Sequence, residues 1–316
     1  MTRAKRLGLI THSDCLLHVP PGEHAERPDR LRSAWTRLES SGLSAEAEVL
    51  DAEEVDLEAV RRVHTAGYVD ALERSCAAGA SQLEADTYSA GEASWRAARL
   101  AAGAAVEATA RVLDGRWERA FCAVRPPGHH AEADRPMGFC LFNSIAVAAN
   151  EARRAGLERV AVVDFDVHHG NGTQHLFEED PSVFFASIHQ MPLYPGTGAA
   201  AERGVGAGEG ATLNLPQEPG AGPTEWLRAF DQQLLPALEA FAPELILVSA
   251  GFDGHAADPL AQTELTSETY AAFTRRLAEQ AERSAGGRMV ALLEGGYDLS
   301  ALADSVEQCV GALREG

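Results

Sequence analysis

The run VAVVDFDVHHGNG, residues 160–172, decides both how this chain folds and where its chemistry sits. Val160 to Val163 is apolar without alternation, the pattern of a strand buried on both faces. Beyond it, period-two alternation carries Asp164, Asp166 and His168 to one side of an extended segment. Two carboxylates and an imidazole at a strand end suit Zn2+ or another borderline divalent ion. Taken alone, the same residues also fit a helix cap beside a satisfied core histidine.

The organisation recurs on either side of this run. Apolar strands over 120–124, 244–249 and 288–293 lead into PPGHHA, AGFDGHAADP and EGGY, and residues 183–187 and 212–215 add two more strands. Helices are predicted over 26–40, 68–78, 90–113, 223–240 and 300–313. Two further helices are signalled by their caps, one from Asn143 to 155 and one from Thr266 or Ser267 to Gly286-Gly287. Continuous apolar strands alternating with helices predict an α/β fold, a single domain of residues 1–316 with a central, mainly parallel sheet flanked by helices. The glycine-rich stretch 196–210 is bracketed by strands and reads as a loop inside that domain. In such sheets function collects outside the carboxyl ends of the strands. Four strand ends here carry polar groups able to ligate or to move protons.

Composition excludes some functions. With 27 basic and 47 acidic residues among 316, the net charge is −20, and an anionic surface repels phosphate backbones, so no nucleic-acid partner is expected. The same field favours a cationic or neutral substrate. The five cysteines are odd in number and contain no C-x-x-C pair, which argues against a disulfide framework and a thiolate zinc site. The apolar run Leu7–Ile10 is too short for a signal-peptide core, and no stretch approaches a membrane span. A cytoplasmic protein with no membrane association is the expectation.

Asp253, from another strand end, offers a third ligand beside Asp166 and His168, and three such ligands leave coordination open as in catalytic sites. His129 and His130 form a candidate proton-transfer pair, with Asp164 to orient one imidazole and Asn171 the other. The alternative makes both histidines ligands. Tyr297, after Gly295-Gly296, offers a phenol donor, or is an ordinary turn tyrosine.

With these residues placed, the chain resembles the histone deacetylase superfamily, which includes acetylpolyamine amidohydrolases. The matching strings are HAERPDRL (24–31), RPPGHHA (125–131), GFCLFN (138–143), VDFDVHHGNGTQ (163–174), SIH (187–189), LYPGTG (193–198), AGFDGHAADPL (250–260) and EGGY (294–297). They cover nearly the whole chain and keep the family's order. The resemblance implies an arginase/deacetylase fold and Zn2+, or Fe2+, on Asp166, His168 and Asp253. It pairs His129 with Asp164 and His130 with Asn171, where asparagine marks the class II-like branch. An amide stabilises imidazolium less than a carboxylate does, so His130 is the expected general base. Tyr297 is the expected oxyanion donor. Gly138, Phe139, Tyr194 and Leu260 are expected along a substrate tunnel, with Asp86 at its rim, although both aromatics also suit a core. A structural K+ is implied near carbonyls of Asp164, Asp166 and His168 and the Ser187 hydroxyl, and a second around Phe177, Asp180 and Val183.

The implied reaction is hydrolytic removal of acetyl or a related acyl group from acyl-lysine in a peptide or protein, or from a small N-acyl amine. An acetylpolyamine amidohydrolase is the main alternative. Little room for a loop insertion between Tyr68 and Asp86, and an uncharged Leu260, favour acyl-lysine or a neutral acyl amine, whereas the −20 charge favours a cation. His255 and Asp258 near Asp253 raise a two-metal, arginase-like reading. A non-catalytic acyl-lysine binder would require a lost ligand, base or Tyr297, and none is lost. Ser144 stands where the family often has a second asparagine. Oligomeric state is not encoded in any of these motifs.

Overall fold

The structure, a computed structural model, describes residues 6–315, so Lys5 and the basic start of the chain fall largely outside it. Eight strands form one sheet: β1 (Leu7–Thr11), β2 (Glu48–Asp51), β3 (Arg119–Cys122), β4 (Val160–Asp164), β5 (Val183–Gln190), β6 (Thr212–Gln217), β7 (Leu245–Ala250) and β8 (Met289–Leu293). All neighbours run parallel, in the order β2-β1-β3-β8-β7-β4-β5-β6. Parallel strands must be covered on both faces, and β3, β4, β5, β7 and β8 are buried along their full length. The helices Glu92–Leu113 and Ser144–Arg154 pack on each other and on the sheet; in a second series Leu299–Glu315 and Ser267–Ser284 pack on each other and on the sheet, with Asp29–Ser40 against Leu299–Glu315.

This order explains why distant motifs meet. The strands leading into PPGHHA, EGGY, AGFDGH and DFDVHH are β3, β8, β7 and β4, four consecutive neighbours. At about 4.8 Å between strands, their carboxyl ends lie within roughly 15 Å. Register aligns them further, since Asp164 pairs with Ser249 of β7 and with Ser187 of β5.

Most predicted elements lie where expected, and Asn143 caps its helix by accepting from Ala146 N at 3.1 Å. The helix predicted over 223–240 is three segments, Pro223–Ala229, a wide π-type turn Phe230–Leu234, and Leu235–Phe241. Pro236 has no N–H to return to the preceding turn, and the widened turn absorbs that loss. β1, β2 and the helices Leu57–Arg61 and Asn171–Phe177 were not anticipated. They are short, and β2 is a mostly exposed edge strand of mixed polarity.

Gly103 lies in the middle of the long helix because a Cβ there would stand 1.8 Å from Glu53 O and 2.9 Å from Val55 N. An interior helical Gly→Ala change ordinarily stabilises by about 0.5–1 kcal/mol. Gly103→Ala is expected to destabilise instead, by about 1–3 kcal/mol of overpacking strain. Urea unfolding of the two proteins checks the sign.

Candidate active site

Asp166, His168 and Asp253 each offer a ligand atom within 4.8 Å of the others, and all three residues are buried. Among the described residues no other His/Cys/Asp/Glu group of three or more has this geometry. Backbone donors hold the carboxylates. Asp166 accepts from His168 N at 2.9 Å and Gly295 N at 2.8 Å, and Asp253 accepts from Val167 N at 3.0 Å. Glycines make room for them, since a Cβ on Gly251 would lie 2.0 Å from Asp166 Oδ2 and one on Gly295 2.1 Å from Asp253 Oδ2. His168 Nδ1 stands 3.0 Å from Asp253 and 3.2 Å from Asp166. Burial lowers the His168 pKa, but the two carboxylates outweigh it and push the value up to about 10. A cradle this favourable to positive charge, with two oxygen donors and one nitrogen donor, fits a divalent ion.

His129 and His130 stack beside this triangle with ring centroids 4.0 Å apart. His129 Nδ1 meets Asp164 Oδ2 at 2.9 Å, and its Nε2 faces Asp166 Oδ2 at 3.9 Å. Burial opposes charge on His129, yet Asp164 and Asp166 raise its pKa to about 10. His130 Nδ1 meets Asn171 Oδ1 at 2.7 Å. Burial, with His129 and His168 adding to it, holds His130 well below the ordinary histidine value. One imidazole is therefore set to carry a proton and its neighbour to accept one.

A cavity of about 260 Å3 opens onto His130. Gly138, Phe139, Tyr194, Leu260, Asp86 and Tyr297 all line it with His130 and His168, and Leu193 joins them. Phe139 adopts φ +70°, a left-handed conformation costly for an aromatic residue, and its N–H donates to Thr87 Oγ1 at 3.3 Å. Asp86 accepts from Gly138 N at 3.1 Å and from the Tyr194 phenol at 2.6 Å, tying rim to wall. Burial pushes the Tyr297 phenol well above its usual pKa, which keeps it a neutral donor.

Ser187 sits opposite Asp164 across β4 and β5, its hydroxyl 2.9 Å from His189 Nδ1. Phe177 ends the helix Asn171–Phe177, Val183 begins β5, and Asp180 between them accepts from Ser182. His255 and Asp258 do not join the three-residue cluster. His255 Nδ1 accepts from Ala257 N, while Asp258 accepts from the N–H groups of Leu260, Tyr297 and Asp298.

A family model described as histone deacetylase domain matches residues 24–313. The chain belongs to the histone deacetylase family. It is 40% identical over 310 residues to "Histone deacetylase 15" of Arabidopsis thaliana, covering 96% of this chain and 55% of that protein. It is 43% identical over 276 residues to a "Histone deacetylase-like amidohydrolase" of Pseudomonas aeruginosa, covering 87% and 72%. It is 40% identical over 321 residues to "Polyamine deacetylase HDAC10" of Homo sapiens, covering 96% and 47%. The chain thus spans about half the length of the plant and human relatives. The crystal structure titled HDA15 HD domain superposes with a TM-score of 0.93 at 39% identity, over 98% of this chain and 88% of that one. Fold and family together support a hydrolase of the deacetylase class.

Beneath the family's motifs lies a layer of buried charge that the sequence did not single out. Glu26 is clamped by both arms of Arg125 and accepts from Arg30 at 3.0 Å. Burial disfavours its charge, but Arg125 and His18 hold its pKa well below the usual carboxylate range. Arg30 also donates to Gly296 O and Glu294 O, and its guanidinium lies 4.8 Å from the Tyr297 ring centroid. Glu294 accepts from Gly128 N at 2.6 Å and His129 N at 3.2 Å, which braces the Pro-Pro-Gly turn. Glu26 and Arg30 fall inside the quoted string HAERPDRL, so the signal was present without its role.

Asp253→Ala removes one corner of the triangle and leaves Asp166 and His168. Its affinity for added Zn2+ is expected to fall by on the order of 100-fold or more, since even outer-shell changes cost 10–100-fold. Chelator competition measures it; unchanged affinity would place the metal elsewhere.

Proposed function

We propose that this chain is a metal-dependent amidohydrolase removing acetyl, or a related acyl group, from the amine of acyl-lysine or of a small N-acyl amine. The observation that carries the reading is the clustering of a divalent-ion cradle, two histidines of opposite protonation preference and a neutral phenol, with His168, His130 and Tyr297 lining one cavity. Asp166, His168 and Asp253 would hold the ion, Zn2+ or Fe2+, which when bound supplies Lewis-acid polarisation of the acyl carbonyl and the attacking water. The protein's own groups do the rest. His130, its Nδ1 turned to Asn171, takes the water's proton at Nε2. His129, kept protonated by Asp164, returns a proton to the departing amine. Tyr297 donates its phenol to the oxygen on which negative charge develops.

The walls favour a thin apolar chain ending in an amide. Phe139, Leu193, Tyr194 and Leu260 line the cavity, and no cation stands at its mouth among the lining residues. A peptide or protein acyl-lysine fits this shape, while the −20 charge favours an acylated polyamine, the class named for the human relative. A two-metal ureohydrolase is disfavoured by Asp258 and His255 being engaged elsewhere. A non-catalytic binder leaves the His129–Asp164 and His130–Asn171 pairs without purpose. A K+ beside Ser187 that stiffens the strand end at Asp164 belongs to the same proposal. So does a reducing, cytoplasmic setting, which suits five buried free cysteines. No described helix is long and apolar enough to cross a membrane.

Tyr297→Phe is expected to keep fold and bound metal while losing turnover of an acetyl-lysine reporter by about 100-fold or more. Near-wild-type turnover would remove Tyr297 from the mechanism. His130→Ala should lose on the order of 100- to 10,000-fold. Acetyl-lysine peptide, trifluoroacetyl-lysine, acetylputrescine and acetylspermidine, assayed side by side, decide the substrate. A preference above about tenfold, worth 1.4 kcal/mol, assigns the class, and a polyamine preference would displace acyl-lysine.

A further inference from the structure

The partner of His130 is an amide, and an amide alone does not select which end faces the imidazole. Asn171 Oδ1 must accept from Nδ1–H if Nε2 is to be the free, basic nitrogen; a flipped amide would present N–H groups and select the opposite tautomer. The structure shows what prevents the flip. Asn171 Nδ2 donates to Glu132 Oε1 at 2.6 Å, and a carboxylate only accepts, so the amide has one allowed orientation. The remaining Nδ2 contacts, His130 O and Met137 Sδ, both at 3.4 Å, are also acceptors. Glu132 is buried, with 6% of its surface exposed, and is engaged on its far side by His175, whose Nδ1 lies 2.9 and 3.0 Å from the two carboxylate oxygens. His175 is a partly exposed residue of the helix Asn171–Phe177. An unbroken line of hydrogen bonds thus joins the buried base to solvent, from His130 through Asn171 and Glu132 to His175.

We propose that Glu132 is a positioning residue: it fixes the Asn171 amide and through it the His130 tautomer, while His175 holds the far side of the carboxylate. The inference rests on His130 being the base. At position 171 an amide faces the imidazole, and a carboxylate stands one hydrogen bond further out. The groups around the relay are few. His130 is faced by His129 and His168, which oppose its protonation, and by Asp166, which favours it. Glu132 also has Arg135 at 3.9 Å. His175 is faced by Glu132, Glu178 and Glu202, whose charges favour its cation, and Arg203 lines the same surface pocket.

The test reads the tautomer directly in the metal-loaded enzyme, with kinetics on an acyl-lysine reporter, melting temperature and metal content alongside. Glu132→Met frees the amide, so the 15N imidazole shifts of His130 should report a gain of the Nε2–H tautomer and kcat should fall with KM little changed. Glu132→Gln keeps an acceptor for Asn171 and should restore most of the original tautomer and kcat. A role confined to folding predicts a lowered melting temperature with an unchanged tautomer. An unchanged tautomer and kcat in Glu132→Met would overturn the proposal. If Glu132→Met does not fold, Glu132→Ala, read in the same way, decides. Failure of the underlying reading is distinct: His130→Ala would then retain turnover.

Discussion

Five carboxylates sit out of contact with water at one end of this sheet: Glu26, Asp164, Asp166, Asp253 and Glu294. Isolated, any one of them would cost several kcal/mol to bury. The architecture around them is best understood as a set of compensations. Arg30 and Arg125 bind Glu26, backbone N–H groups from two loops serve Glu294, and His129 answers Asp164. Only Asp166 and Asp253 converge on a shared cation position, with His168 between them. The site's capacity for a divalent ion follows from that unequal distribution. Elsewhere the negative charge is matched by the protein itself.

The same compensation divides the labour of two adjacent histidines. His129 and His130 are neighbours in sequence and stacked in space, yet their partners differ by one functional group, a carboxylate against an amide. Burial disfavours charge on both, and that difference, with the neighbouring charges, separates their proton affinities in opposite directions. The tunnel shows comparable economy. Its wall is held by backbone at Phe139 and by the hydrogen bond from Tyr194 to Asp86, so its shape depends on few free rotamers.

Much of this was legible before any coordinates. Residues 160–172 announce a buried strand and the Asp166 and His168 of the cluster at its end, because buried parallel strands are continuously apolar and polar residues become visible at their ends. All five tunnel residues named from the resemblance line the cavity. What stayed hidden has a common physical cause. Glu26, Arg30 and Glu132 look like surface charges in a chain so rich in charge, and only three-dimensional packing reveals that they are buried. β1 and β2 escaped notice because four or five residues carry too little periodicity to distinguish a strand from a loop. The π-type turn before Pro236 is a local answer to one missing donor, invisible in a pattern summed over eighteen residues.

The strand order has a kinetic side. Asp166, His168, Asp253 and Tyr297 come from the segment that builds β4 to β8, whereas His129 and His130 arrive with β3 and reach them only when β3 pairs with β8. That pairing joins Arg119 to Met289 across more than half the chain. Contacts of such separation carry the largest loop-closure cost and are late by topology. The Asp166, His168 and Asp253 triangle therefore depends on shorter-range closures than the pairing that brings His129 and His130 beside it.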